Sequence, residues 1–166
     1  LGRTVVLGLG VAMPSGIESP YAAWIGTTTS SDAIAEVPTL RWTTADSLSE
    51  AGYGGLVGGA ECFDHAMFSV SPAEAQAMDP QQRLLLEYAE LAFADAGYDR
   101  ASLEGEDVGV YIGIGASDAM LLSTKSDELN VYSANGTAHA AAVGRVSYAF
   151  GLQGPCSAYD TACSAS

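Results

Sequence analysis

Basic residues are scarce in this sequence. Six lysines and arginines stand against twenty aspartates and glutamates, a net charge of −14. Nucleic acid and anionic membranes both need a positive face, so neither is expected as a partner. The acidity itself reads as a solubility feature. Cysteine is scarce too. Cys62, Cys156 and Cys163 are odd in number and lack Cys-x-x-Cys spacing. This excludes a secreted disulfide scaffold and points to a reduced, cytoplasmic compartment. Cys62 and His65 form a Cys-x-x-His pair, but a second pair of ligands is missing, so no metal site is expected. No run reaches the ~18 apolar residues of a membrane helix. The opening LGRTVVLGLGVAMPSG loosely resembles a signal peptide. Glycines and β-branched residues interrupt it and no small-residue cleavage site follows, so residues 4–12 are expected to form a strand buried on both faces.

What is present suits one globular α/β domain. The 166 residues are 48% apolar, enough for a sizeable core. Ser19-Pro20 opens a short helix over 19–26. Residues 27–60 are rich in Thr, Ser and Gly and read as a long surface excursion with little regular structure. Ser71, Pro72 and Glu74 spell a capping box, and Asp79, Pro80 and Gln82 repeat it. The second of these helices should run to about Ala96 and stop at Gly97. Its apolar residues, Leu84, Leu85, Tyr88, Leu91, Ala92 and Phe93, cover more than one stripe. It should be packed on several sides, with Glu87 and Glu90 at the wet edge. Residues 107–114 form a strand, followed by a polar loop with one helical turn. Residues 137–149 form a helix of small residues ended by Gly151. Its Ala140, Ala141 and Gly144 should admit a close backbone. Residues 155–160 are a further strand. Alternating strands and helices imply a largely parallel sheet.

The chemistry concentrates in YDTACSAS, residues 159–166. Cys163 lies just past the last strand, where a helix would begin. A nucleophile at such a sharp turn needs small neighbours, because the backbone folds tightly beneath the reacting atom. Thr161, Ala162, Ser164, Ala165 and Ser166 meet that demand. Backbone N–H groups there would stabilise a thiolate. A buried, inert thiol is the competing reading on spacing alone. Asp160 either orients the turn or ends the strand. His65 and His139 are the only histidines; His139 is expected to cap its helix or make a surface contact. Arg145 should pair with a carboxylate, and Cys156 should lie in the core.

DTACSAS (160–166) resembles the active-site signature of the β-ketoacyl synthases. EAQAMDPQQRLLLE (74–87), GVYIGI (109–114), GRVSYAFGLQGP (144–155), IAEVPTLRW (34–42) and the opening VVLGLGVAMPSG follow in that family's order. The resemblance covers essentially the whole chain and favours the ketosynthase domains of modular type I polyketide synthases.

The resemblance implies a thiolase-like fold, a layered α/β arrangement with a parallel or mixed sheet, of which residues 1–166 form the first half. It implies that Cys163 accepts an acyl group as a thioester and that its backbone N–H helps bind the oxyanion, with Asp160, Thr161, Ala162 and Ser164 as the supporting elbow. The reaction implied is decarboxylative Claisen condensation with a malonyl-type extender on an acyl carrier protein, in polyketide or fatty-acid elongation. The enzyme class is an acyltransferase of the 3-oxoacyl synthase type. No metal or bound cofactor is implied, since phosphopantetheine arrives on the carrier protein. The expected partners are that carrier, a second copy in a homodimer, and the C-terminal half of the ketosynthase on the same or a second chain. The family's two catalytic histidines are absent from these residues, so residues 1–166 alone are expected to be inactive. The alternatives are a non-catalytic scaffold or dimerisation half, or another thiol acyltransferase of the thiolase fold.

Overall fold

The computed structural model describes residues 3–38, 52–115 and 133–164, without the side chains of residues 133, 134 and 163. Most of the polar loop expected after residue 114, the Arg41-Trp42 end of the 34–42 segment, and Ala165 and Ser166 lie outside the described residues. The chain divides into two compact units, Leu9–Gly59 and Leu1–Gly8 with Ala60–Ser166.

In the Leu9–Gly59 unit, helix α1 spans Pro20–Thr28. The Ser19 hydroxyl accepts from Ala22 N at 3.1 Å, and Pro20 supplies a preset φ where no N–H is needed. Three hydroxyls end the helix. Thr27, Thr28 and Thr29 donate to the carbonyls of Ala23, Trp24 and Ile25 at 2.9, 2.9 and 2.8 Å, competing with the backbone ladder. The expected excursion holds one small ladder: β1 (Ala35–Glu36) pairs antiparallel with β2 (Tyr53–Gly54).

The other unit carries the main core. Helix α2 (Pro72–Ala77) is capped by Ser71, whose hydroxyl accepts from Glu74 N at 3.2 Å. Helix α3 (Pro80–Asp95) is capped by Asp79, which accepts from Gln81 N at 2.7 Å. It ends as expected at Gly97, with φ +82°. There Gly97 N bonds Ala94 O and Tyr98 N bonds Phe93 O, each at 2.9 Å. Helix α4 (Arg100–Leu103) follows, with a complete capping box between Asp99 and Ser102. Strand β3 (Val110–Gly113), helices α5 (Ser133–Thr137) and α6 (His139–Ala149), and strand β4 (Cys156–Tyr159) complete the unit. A second glycine stop, Gly151 at φ +66°, turns the chain from α6 toward β4.

β3 and β4 pair in parallel, with Val110 opposite Cys156 and Gly113 opposite Tyr159. Helix α6 packs on both strands and on α3. Val110 and Ile112 of the sheet and Ala142, Val143 and Val146 of α6 are buried together with Leu86 and Phe150. The Phe150 ring meets Phe93 edge-on at 5.0 Å and Phe68 at 6.5 Å. Arg100 lies 4.7 Å from the Phe68 ring centroid, is paired with Glu90 at 2.8 Å, and donates to Met67 O. The opposite face of the two strands, bearing Tyr111 and Tyr159, is exposed.

Several expectations need correction. Residues 4–12 form no strand, and Val6 is 71% exposed. Within this unit, Val5–Gly8 line an open groove of about 700 Å³ with Phe93, Leu103 and Val108. An apolar run becomes a strand only when a neighbouring strand continues its ladder, and no strand pairs along residues 4–12 among the described residues. α3 is covered on several sides as expected, with Gln82 and Leu86 buried and Leu84, Leu85, Tyr88, Ala92 and Phe93 half-buried, but Leu91 is exposed. Glu90 is an ion-pair partner of Arg100 rather than a free wet edge. Cys156 is exposed rather than in the core, because β4 has no strand beyond it among the described residues. Ala140 is exposed and a Cβ on Gly144 would meet nothing within 4 Å. The close backbone approach occurs instead at Gly136, where a Cβ would overlap the Ala77 carbonyl.

Candidate active site

The elbow forms where β4 ends. Tyr159 N–H and C=O still belong to the ladder, and Ile114 N bonds Tyr159 O at 3.0 Å. The chain then reverses within a short 3-10 turn, Ala162–Ser164. Ser164 N donates to Thr161 O at 3.3 Å, and the Ser164 hydroxyl donates to the same carbonyl at 2.9 Å. The Asp160 carboxylate accepts from Ala162 N at 3.2 Å. Asp160 therefore does more than end the strand: it ties down the turn that carries Cys163. Ala162 has φ +52°, a left-handed conformation that a Cβ resists. Asp160, Thr161, Ala162 and Ser164 are all exposed.

The support behind β4 comes from α6, and α6 is anchored to α3 by buried polar contacts. Gln82, 2% exposed, donates through Nε2 to Asn135 O at 3.1 Å and to Ala138 O at 3.2 Å. Asp79 N donates to Gly136 O at 2.8 Å. Three carbonyls leading into α6 are thus held by the start of α3. The sequence marks Gln82 only as a helix-start residue, since periodicity does not distinguish a buried amide from an exposed one. Arg145 pairs with Glu74 at 2.5 Å, as expected for a cation in a packed helix.

The remaining candidates stand apart from the elbow. His65 Nδ1 lies 2.9 Å from Val70 O, a local loop contact, and Cys62 is exposed. No group of three metal-binding side chains occurs among the described residues. α6 starts at Ala138 without a side-chain cap, so His139 is not a capping residue. No helix among the described residues is long and apolar enough to cross a membrane.

Comparison with known proteins agrees along nearly the whole chain. The family model described as the β-ketoacyl synthase N-terminal domain matches residues 2–166. Polyketide synthase GfsA of Streptomyces halstedii is 41% identical over 97% of this chain, which spans 2% of that protein. Erythronolide synthase EryA3 of Saccharopolyspora erythraea is 41% identical over 96% of the chain and 5% of its own length. Among solved structures, the oxazolomycin ketosynthase domain of Streptomyces albus superposes with a TM-score of 0.81 at 28% identity, covering 98% of this chain and 30% of that one. The ketosynthase from module 6 of the Bacillus subtilis bacillaene synthase gives 0.75 at 32% identity, covering 96% and 27%. The fold is the thiolase-like α/β class that the sequence implies. The chain belongs to the β-ketoacyl synthase family, to whose N-terminal domain residues 2–166 correspond.

Proposed function

We propose that the protein is the condensing enzyme of polyketide chain elongation and that Cys163 is its nucleophile. The observation that supports the reading is the family match over residues 2–166, together with a parallel strand that ends at Tyr159, just before Cys163 in the sequence. The Cys163 thiolate attacks the acyl thioester carbonyl of a carrier-bound phosphopantetheine. The C–S bond to the carrier breaks, the carrier thiol takes up a proton, and the acyl group rests on Cys163. A malonyl-type extender on a carrier then loses carbon dioxide. The electron pair left on its α-carbon attacks the Cys163 thioester, forming the new C–C bond and releasing the Cys163 thiolate. Backbone N–H groups at the elbow, that of Cys163 included, stabilise the tetrahedral oxyanion.

The partners follow from the same reading. The acyl carrier protein delivers both substrates. The family's histidines come from a C-terminal half, on the same or a second chain, and residues 1–166 form the N-terminal part of the domain. Supporting this, parallel sheets are ordinarily covered on both faces, whereas Tyr111 and Tyr159 lie exposed. The edge of β4 that no strand covers among the described residues pairs with its two-fold mate in a homodimer. A reducing cytoplasm keeps Cys163 in its thiol form.

Alkylation of the intact ketosynthase domain with iodoacetamide, read by mass spectrometry, tests the assignment. Cys163 should be labelled first, and C163A should lose acyl loading and condensation. Dominant labelling of Cys62 or Cys156 would sink it. Sedimentation as a monomer at micromolar concentration would remove the dimer.

A further inference from the structure

Ala162 breaks a local rule. Residues at positive φ are usually glycine, asparagine or aspartate, and alanine carries a Cβ that crowds its own backbone there. Yet Ala162 holds φ +52° as the first central residue of the turn closed by Ser164 N and Thr161 O. Two further ties keep it there. The Asp160 carboxylate accepts its N–H at 3.2 Å, and the Ser164 hydroxyl donates to Thr161 O at 2.9 Å. A strained residue persists only where its surroundings over-determine it, and such residues cluster at working sites.

We infer that Ala162 is a positioning residue: held left-handed by Asp160, it sets the direction in which the Cys163 backbone leaves β4. This rests on the reading of Cys163 as nucleophile. The N–H groups of Ala162 and Ser164 are committed inside the turn, to Asp160 and to Thr161 O, so the backbone at 162 sets the direction of the Cys163 N–H that lies between them, and an aimed N–H favours an anion. Position 162 thus governs how well the turn supports a thiolate at 163 and an oxyanion beside it. It accepts alanine or glycine. A β-branched side chain, for which positive φ is a true outlier, forces the turn open.

The test measures the pH profile of iodoacetamide alkylation at Cys163 in the intact ketosynthase domain, with Cys62 and Cys156 as controls inside the same molecule. A162V and D160A should shift the Cys163 profile to higher pH and slow its labelling at neutral pH on the order of tenfold. The rates at Cys62 and Cys156 should not change. D160N, which keeps the acceptor oxygen, should restore the wild-type profile. A162G should melt at or above the wild-type temperature, whereas glycine replacing an ordinary alanine lowers it. If A162V does not fold, D160A, D160N and A162G still decide the matter. An unchanged profile in D160A, or a lowered melting temperature in A162G, overturns the inference while leaving Cys163 as nucleophile. A wild-type Cys163 that labels no faster than the other two cysteines removes the nucleophile itself, whatever the variants do.

Discussion

Glu74 caps nothing with its carboxylate; it accepts from Arg145 Nη1 at 2.5 Å, which ties α2 to α6 through this one ion pair. Half of the capping box written in the sequence is therefore diverted into a tertiary tie. The side chains are 28% and 16% exposed, so removing one leaves the other poorly solvated. E74Q and R145M should each lower stability by about 2 kcal/mol, seen as a lower urea midpoint in the intact domain. The double variant E74L/R145M should recover much of the loss, because no lone charge remains. Equal loss in single and double variants would show that packing of the stems, not the ion pair, matters.

Two glycines should behave oppositely. A Cβ at Gly136 would overlap the Ala77 carbonyl and push the 135–138 carbonyls off Gln82 and Asp79. G136A should cost about 3 kcal/mol and disturb α6. G144A adds a Cβ that meets nothing within 4 Å in mid-helix. It should raise stability by roughly 0.5–1 kcal/mol through helix propensity. Thermal melts of the two variants check both signs. Destabilisation by G144A would reveal a neighbour packed on that face in the intact domain.

Two carboxyls should pull stability in opposite directions with pH. Bonds from the Ser102 N–H, and then from its hydroxyl, hold Asp99 below its ordinary 3.8. The stability it adds is present above that value and is lost as pH falls through its lowered folded-state value. D99N should flatten this part of the acid limb. Burial raises Glu87 above its ordinary 4.5, against the opposing Asp64 N–H bond and Arg83 charge. Its ionisation therefore removes stability as pH rises from 4.5 through the raised value, and E87Q should raise the urea midpoint at neutral pH. Urea titrations between about pH 3 and 7 separate the two.

Helix starts and stops were written plainly in the sequence. Ser19, Ser71, Asp79, Gly97 and Gly151 act locally, through hydrogen bonds and backbone freedom that neighbouring residues decide. What a side chain faces after packing was less legible. Cys156 and Leu91 look like core residues but are exposed, and Gln82 looks like a surface residue but is buried. Their fate depends on which element arrives from far along the chain. At the elbow, the small residues around Cys163 were visible in the sequence. The strain was not, since an alanine in a string of small residues carries no turn signal, and φ +52° at Ala162 emerges only once Asp160 and Ser164 close around it.

The parallel register of β3 and β4 sets a timetable. Val110 and Cys156 are neighbours only after the whole crossover through α5 and α6 has closed. Helices form locally and fast, whereas a parallel pair must first overcome the closure entropy of its connection. The elbow follows β4, so its backbone is turned among the last events of folding, well after most helical signal has returned. Fast alkylation of Cys163 should therefore appear late in a refolding time course. That makes a single thiol a clock for the completion of the sheet.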